Sequence, residues 1–116
     1  MKVAILGASP KPERYSHQAQ LLLVEHGHEV FPVSPTGREI LGVPGMTSVP
    51  SGMDTVTLYV GPDRLAPILD SLIEAAPRRV IFNPGTESAE AKKSLEEAGI
   101  ETEEACTLVL LRTGSF

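Results

Sequence analysis

Ser9, Lys11 and Arg14 follow Gly7 in the stretch GASPKPERYSHQ, which joins an apolar run to a helical pattern. A glycine at a strand-to-helix turn lets the backbone close tightly. The N–H groups of Ala8 and Ser9, with the Ser9 hydroxyl, can then face an anion at the helix N-terminus. Lys11 and Arg14 would add positive charge. The second and third glycines of the dinucleotide fingerprint are absent, with Ser9 and Pro12 at their positions. Pro10 and Pro12 have no N–H to offer. The turn is therefore a poorer pyrophosphate cradle than G-x-G-x-x-G, and it also reads as a rigid link with no ligand.

The end of the second apolar run carries a different signal. Dinucleotide-binding folds place an acid there to hold the adenosine ribose hydroxyls. This chain has Val33-Ser34-Pro35-Thr36 and then Arg38. A cation in place of the carboxylate suits an adenosine whose ribose bears a phosphate. NADP, with its 2′-phosphate, and coenzyme A, with its 3′-phosphate, both qualify. An exposed loop arginine is the plain alternative. In FNPGTESAE, Asn83, Gly85 and Thr86 stand at another strand-to-helix junction. Thr86 or Ser88 is an expected N-cap, and the neighbouring N–H groups can also meet an amide or phosphate.

Catalytic groups are harder to assemble. His26 and His28 flank the helix-stopping Gly27, far from the ligand loops, and with His17 they read as structural or solvated rather than as metal ligands. Ser9 lacks a G-x-S-x-G elbow. The single cysteine, Cys106, excludes an internal disulfide and a cysteine-based metal cluster. It reads either as a buried core thiol or as a thiol at the ligand edge of the sheet. There, Glu103 and Glu104 would oppose its ionisation. No catalytic or metal-binding set emerges, and binding fits better than chemistry.

These residues need elements to hold them. Lys2–Leu6 reads as a strand suited to a sheet covered on both faces. A helix starts near Arg14 or Tyr15, delayed by Pro10 and Pro12, and Gly27 stops it. Glu29–Val33 is the second strand. SPTGREILGVPGMTSVPSG follows as a long loop, uncommon at that length and often functional. Residues 54–60 form the third strand. An amphipathic helix then carries Leu65, Ile68, Leu69, Leu72 and Ile73, with Pro67 delaying its regular part. Arg79–Phe82 is the fourth strand, 88–98 a helix closed by Gly99, 100–103 a fifth strand, and CTLVLLRTG a short terminal helix ending at Gly114. Alternating strands and helices predict one α/β domain over residues 1–116. It is a Rossmann-like three-layer α/β/α fold with a five-stranded parallel sheet in the order 3-2-1-4-5. The loops GASP, SPTGR, YVGP and NPGT would converge at the carboxyl ends of the strands, at the switch point between strands 1 and 4.

Composition narrows the partners. A net charge of −5 argues against a nucleic-acid surface, which needs a basic field. Few aromatics leave little for base stacking. No apolar run approaches the roughly 18–20 residues that span a membrane. The apolar part of MKVAILGASP is about five residues, short of a roughly 7–15-residue signal core. A cytoplasmic location is the expectation.

With these motifs in view, the sequence resembles the small stand-alone CoA-binding domain proteins, which are similar to the N-terminal CoA-binding domain of the succinyl-CoA synthetase alpha subunit. GASPKPERYS, VSPTGREILG, DTVTLYVGP, IFNPGTE and EACTLVLLRTG carry the resemblance across nearly the whole chain. It implies coenzyme A or an acyl-CoA as ligand and no established reaction. By resemblance the contacts come from Gly7, Ala8, Ser9 and Pro10; from Ser34, Pro35 and Arg38; from Tyr59 and Val60; and from Asn83, Pro84 and Gly85. Arg14 joins them as a cation of the first turn. The synthetase loop after strand 2 carries a lysine, a role that falls here to Arg38. The synthetase phosphohistidine lies in a second domain with no counterpart in this sequence, so ligase activity does not come with the fold. The expected role is a carrier, sensor or partner protein. An NADP-binding oxidoreductase fragment or redox sensor, and a ligand-free interaction module, remain alternatives.

Overall fold

The computed structural model describes residues Met1–Phe116. Five strands form a parallel sheet: β1 (Lys2–Leu6), β2 (Glu29–Val33), β3 (Thr55–Leu58), β4 (Arg79–Phe82) and β5 (Glu101–Glu104). The helices are α1 (Tyr15–Glu25), α2 (Pro62–Leu65), α3 (Leu69–Ala75), α4 (Ala89–Glu97) and α5 (Thr107–Arg112). Pro67 replaces the junction of α2 and α3 with a 3-10 turn, Ala66–Ile68. The helical path therefore starts at Pro62, and its regular part is delayed to Leu69. Gly27, with φ +82°, ends α1 in the conformation that side chains avoid.

Alternation along β1 builds the layers. Val3 and Ile5 pack with Leu23 of α1 and Leu111 of α5 on one face. Ala4 and Leu6 pack on the other face with Val56, Leu58, Val80 and Phe82, and with Leu65, Leu72, Ala91 and Leu95 from α2, α3 and α4. This is the expected Rossmann-like three-layer arrangement. No helix is long and apolar enough to cross a membrane.

The strand order differs from the expected 3-2-1-4-5. It is 2-1-3-4-5, because β3 pairs with β1 rather than β2. The physical reason stands within β2. Pro32 has no N–H, so its outward side cannot pair with an inner strand, and β2 must be an edge. The Pro32 carbonyl on that side accepts from Met46 N–H at 2.9 Å, and Ser34 N–H donates to Met46 O at 3.0 Å. The long loop thus covers the open edge before crossing to β3. It is pinned to α1 by Gln20, whose Nε2 donates to Ile40 O at 2.9 Å. The switch point consequently lies between β1 and β3 rather than between strands 1 and 4. At the opposite edge, β5 reads Glu-Thr-Glu-Glu, and its charges discourage further pairing.

Candidate functional site

A cleft of about 420 Å³ opens at the carboxyl ends of the strands, over the β1/β3 switch point. Its volume lies in the range of ligand pockets. Each of the four expected loops contributes: Gly7, Ala8 and Ser9; Pro35; Tyr59 and Gly61; and Pro84, Gly85 and Thr86.

The first turn is built by close packing. Gly7 has φ +98°, and its N–H and that of Ala8 both donate to Val33 O, at 2.9 and 3.1 Å. Ala8 therefore lines the cleft, but its N–H is spent inside the fold. The Ser9 hydroxyl accepts from Lys11 N–H at 3.1 Å, and Ser9 O is held by His17 Nδ1 at 3.0 Å. His17 is buried as a brace for this turn. Ser9 N–H has no acceptor.

Helix α1 supplies further donors. Arg14 stands at its N-cap and makes no side-chain cap, so the N–H groups of Tyr15 and Ser16 have no acceptor. Both residues line the cleft. Lys11, Arg14 and Arg64 line it too. None of the three is ion-paired; the salt bridges of the molecule join Arg78, Arg79 and Lys92 to acids elsewhere. The lining holds no carboxylate, imidazole or thiol. In a protein of net charge −5, this is a locally cationic, donor-rich cleft suited to an anion.

Of the residues singled out from sequence, Gly7, Ala8, Ser9, Arg14, Pro35, Tyr59, Pro84 and Gly85 are brought together around the cleft. Pro10, Ser34, Arg38, Val60 and Asn83 do not line it. Arg38 is exposed on the loop, and Val60 belongs to the core. Asn83 is buried: its Nδ2 donates to Thr57 Oγ1 at 2.6 Å and Leu58 O at 2.8 Å, and its Oδ1 accepts from Thr107 N–H at 2.8 Å. It ties β4 to β3 and to the start of α5. Cys106, half-buried at the N-cap of α5, does not line the cleft. The Tyr59 hydroxyl is buried with no hydrogen-bond partner, and burial pushes its pKa up to about 12. Tyr59 therefore serves as a neutral wall.

Gly61 and Thr86, from the expected loops YVGP and NPGT, line the cleft as well, and Arg64, Tyr15 and Ser16 line it without having been singled out as ligand contacts. The signal for Tyr15 and Ser16 was the missing cap: an arginine cannot accept the first-turn N–H groups. For Arg64 it was Pro62, a helix-starting residue that puts Arg64 in the first turn beyond β3.

Residues 1–112 match the family model described as CoA binding domain. A solved structure of an uncharacterized protein has a TM-score of 0.94 at 44% identity, covering 99% of this chain and 97% of its own. A hypothetical protein from Pyrococcus horikoshii OT3 has a TM-score of 0.88 at 32% identity, covering 96% of this chain and 81% of its own. The uncharacterized protein YneT of Bacillus subtilis is 28% identical over 84% of this chain and 75% of its own length.

Proposed function

The chain belongs to the CoA-binding domain family, and from that premise we propose that it holds coenzyme A or an acyl-CoA in the cleft at the β1/β3 switch point, as a carrier, sensor or partner protein rather than as an enzyme. The observation that carries this reading is the grouping of three unpaired cations, Lys11, Arg14 and Arg64, with the unaccepted N–H groups of Tyr15 and Ser16. Coenzyme A bears a pyrophosphate and a ribose 3′-phosphate, and such a constellation compensates several negative charges at once. In this reading the pyrophosphate lies against the first turn of α1. Gly7, Ala8 and Ser9 shape the floor, with Pro10 following them outside the cleft, and Pro35, Tyr59, Pro84 and Gly85 form the walls. Val60 and Asn83 support them from beneath. Ser34 and Arg38 reach the ligand from the rim of the loop.

NADP is the second reading, favoured by the missing carboxylate at the end of β2, where Val33 leads to Ser34 and Pro35. A thermal-shift panel of coenzyme A, acetyl-CoA, dephospho-CoA, NADP, NAD and ATP separates the two. A ligand at 100 times its Kd stabilises by about 2.7 kcal/mol. The expected result is the largest shift with coenzyme A or its acetyl ester. A larger shift with NADP or NAD would overturn the assignment, and no shift with any ligand would leave an interaction module.

A further inference from the structure

The NPGT loop presents few donors to the cleft. Pro84 has no N–H, and the Thr86 N–H is spent on Asn83 O at 3.0 Å. Gly85, with φ +92°, lines the cleft, and its N–H donates to the Glu87 carboxylate at 2.8 Å. Glu87 is exposed and pairs with no cation of the protein. A negative charge of the protein's own therefore sits on a donor at the rim of a cleft otherwise free of carboxylates.

We propose that Glu87 is a built-in competitor, holding the Gly85 N–H in the free protein and yielding it when an anionic group of the ligand enters. This rests on reading the cleft as an anion site. The carboxylate offers no favourable contact to a phosphate group of the ligand. While it stays, it repels the ligand, and when it leaves it frees one donor. It thereby sets an upper limit on affinity and favours release, as suits a protein that must give its ligand up.

The test compares Glu87→Gln and Glu87→Ala with the wild-type chain, titrating coenzyme A and inorganic pyrophosphate by calorimetry at low salt. Glu87→Gln keeps an acceptor for the Gly85 N–H without the charge, and melting curves report whether either variant loosens the loop. The expected result is binding roughly fourfold tighter or more, the size of one like charge at about 5 Å in a water-like dielectric. High salt should shrink the gain. Unchanged or weaker binding of both probes by both variants, at unchanged melting temperature, overturns the proposal. Tighter pyrophosphate binding without any coenzyme A binding keeps the role of Glu87 and overturns the ligand assignment. Coenzyme A binding that is equal in all three proteins does the reverse.

Discussion

Gly7 and Tyr59 meet backbone to backbone where β1 and β3 end. A Cβ on Gly7 would lie 2.9 Å from the Tyr59 carbonyl oxygen and 3.0 Å from Val60 Cγ1. Just before this contact, Tyr59 N–H donates to Leu6 O at 2.8 Å. The two chain ends that flank the switch point are thus held together by the absence of a side chain. Gly7→Ala would face both the contact and φ +98°, a combination costing about 1–3 kcal/mol. The expected outcome is a melting temperature lower by roughly 4 °C per kcal/mol, with ligand affinity falling as the turn is pushed off β3. A variant that melts like wild type would show that the contact relaxes freely.

Asn83 should matter more to stability than its neighbours at the cleft. Asn83→Ala strands Leu58 O and Thr107 N–H and takes one of two partners from Thr57 Oγ1. Each buried group left unpaired costs about 1–3 kcal/mol, and Thr57 keeps its bond to Thr107 Oγ1 at 2.8 Å. A loss of about 2–4 kcal/mol is expected by urea denaturation. A loss below 1 kcal/mol would mean that water replaces the amide.

The bounds of β1, α1, β2 and β4 are written locally: Pro10 and Pro12 hold the helix back to Tyr15, and Gly27 closes it. The edge position of β2 was also legible, in Pro32. Proximity along the chain points the other way, however, because a crossover without a helix leaves no pattern to show that it passes β1. Asn83 looks like a loop residue free to touch a ligand. Its partners lie 24 to 26 residues away, and only the pairing of β3 with β4 and the docking of α5 bring them near. Arg64 is hidden by the strand pattern, which extends to Val60, and by Pro67, which delays the regular helix. A single turn at Pro62 places it on the cleft.

Asp54 gives a pH-dependent expectation at the opposite end of the sheet. Arg78 Nε donates to its Oδ1 at 2.7 Å and Arg78 Nη2 to its Oδ2 at 3.1 Å. That guanidinium, foremost, holds the Asp54 pKa down from 3.8 to about 2. A carboxyl that resists protonation when folded stabilises above its unfolded pKa and loses that contribution as pH falls through the folded value. Asp54→Asn should therefore be less stable than wild type at neutral pH, with the gap closing between about pH 4 and pH 2. Urea midpoints across that range measure it. A gap independent of pH would show that the ion pair contributes no net stability, and ligand binding should be unaffected throughout.

The three arginines near the ligand edge differ in position. Arg14 and Arg64 line the cleft without a carboxylate partner, whereas Arg38 is exposed and outside it. A charge-assisted contact to phosphate is worth about 1.5–3 kcal/mol, roughly a 10- to 150-fold change in Kd, and less where water reaches it. Arg64→Ala and Arg14→Ala should each weaken coenzyme A binding by about tenfold or more and flatten its salt dependence. If the loop arginine reads the 3′-phosphate, Arg38→Ala will weaken coenzyme A but leave dephospho-CoA almost unchanged. Calorimetry on the two ligands with the three variants makes the assignment. Whichever arginine loses coenzyme A affinity while keeping that for dephospho-CoA faces the 3′-phosphate, and one that loses both equally faces the pyrophosphate. If neither cleft arginine weakened either ligand, the phosphates would have to lie elsewhere on the sheet edge.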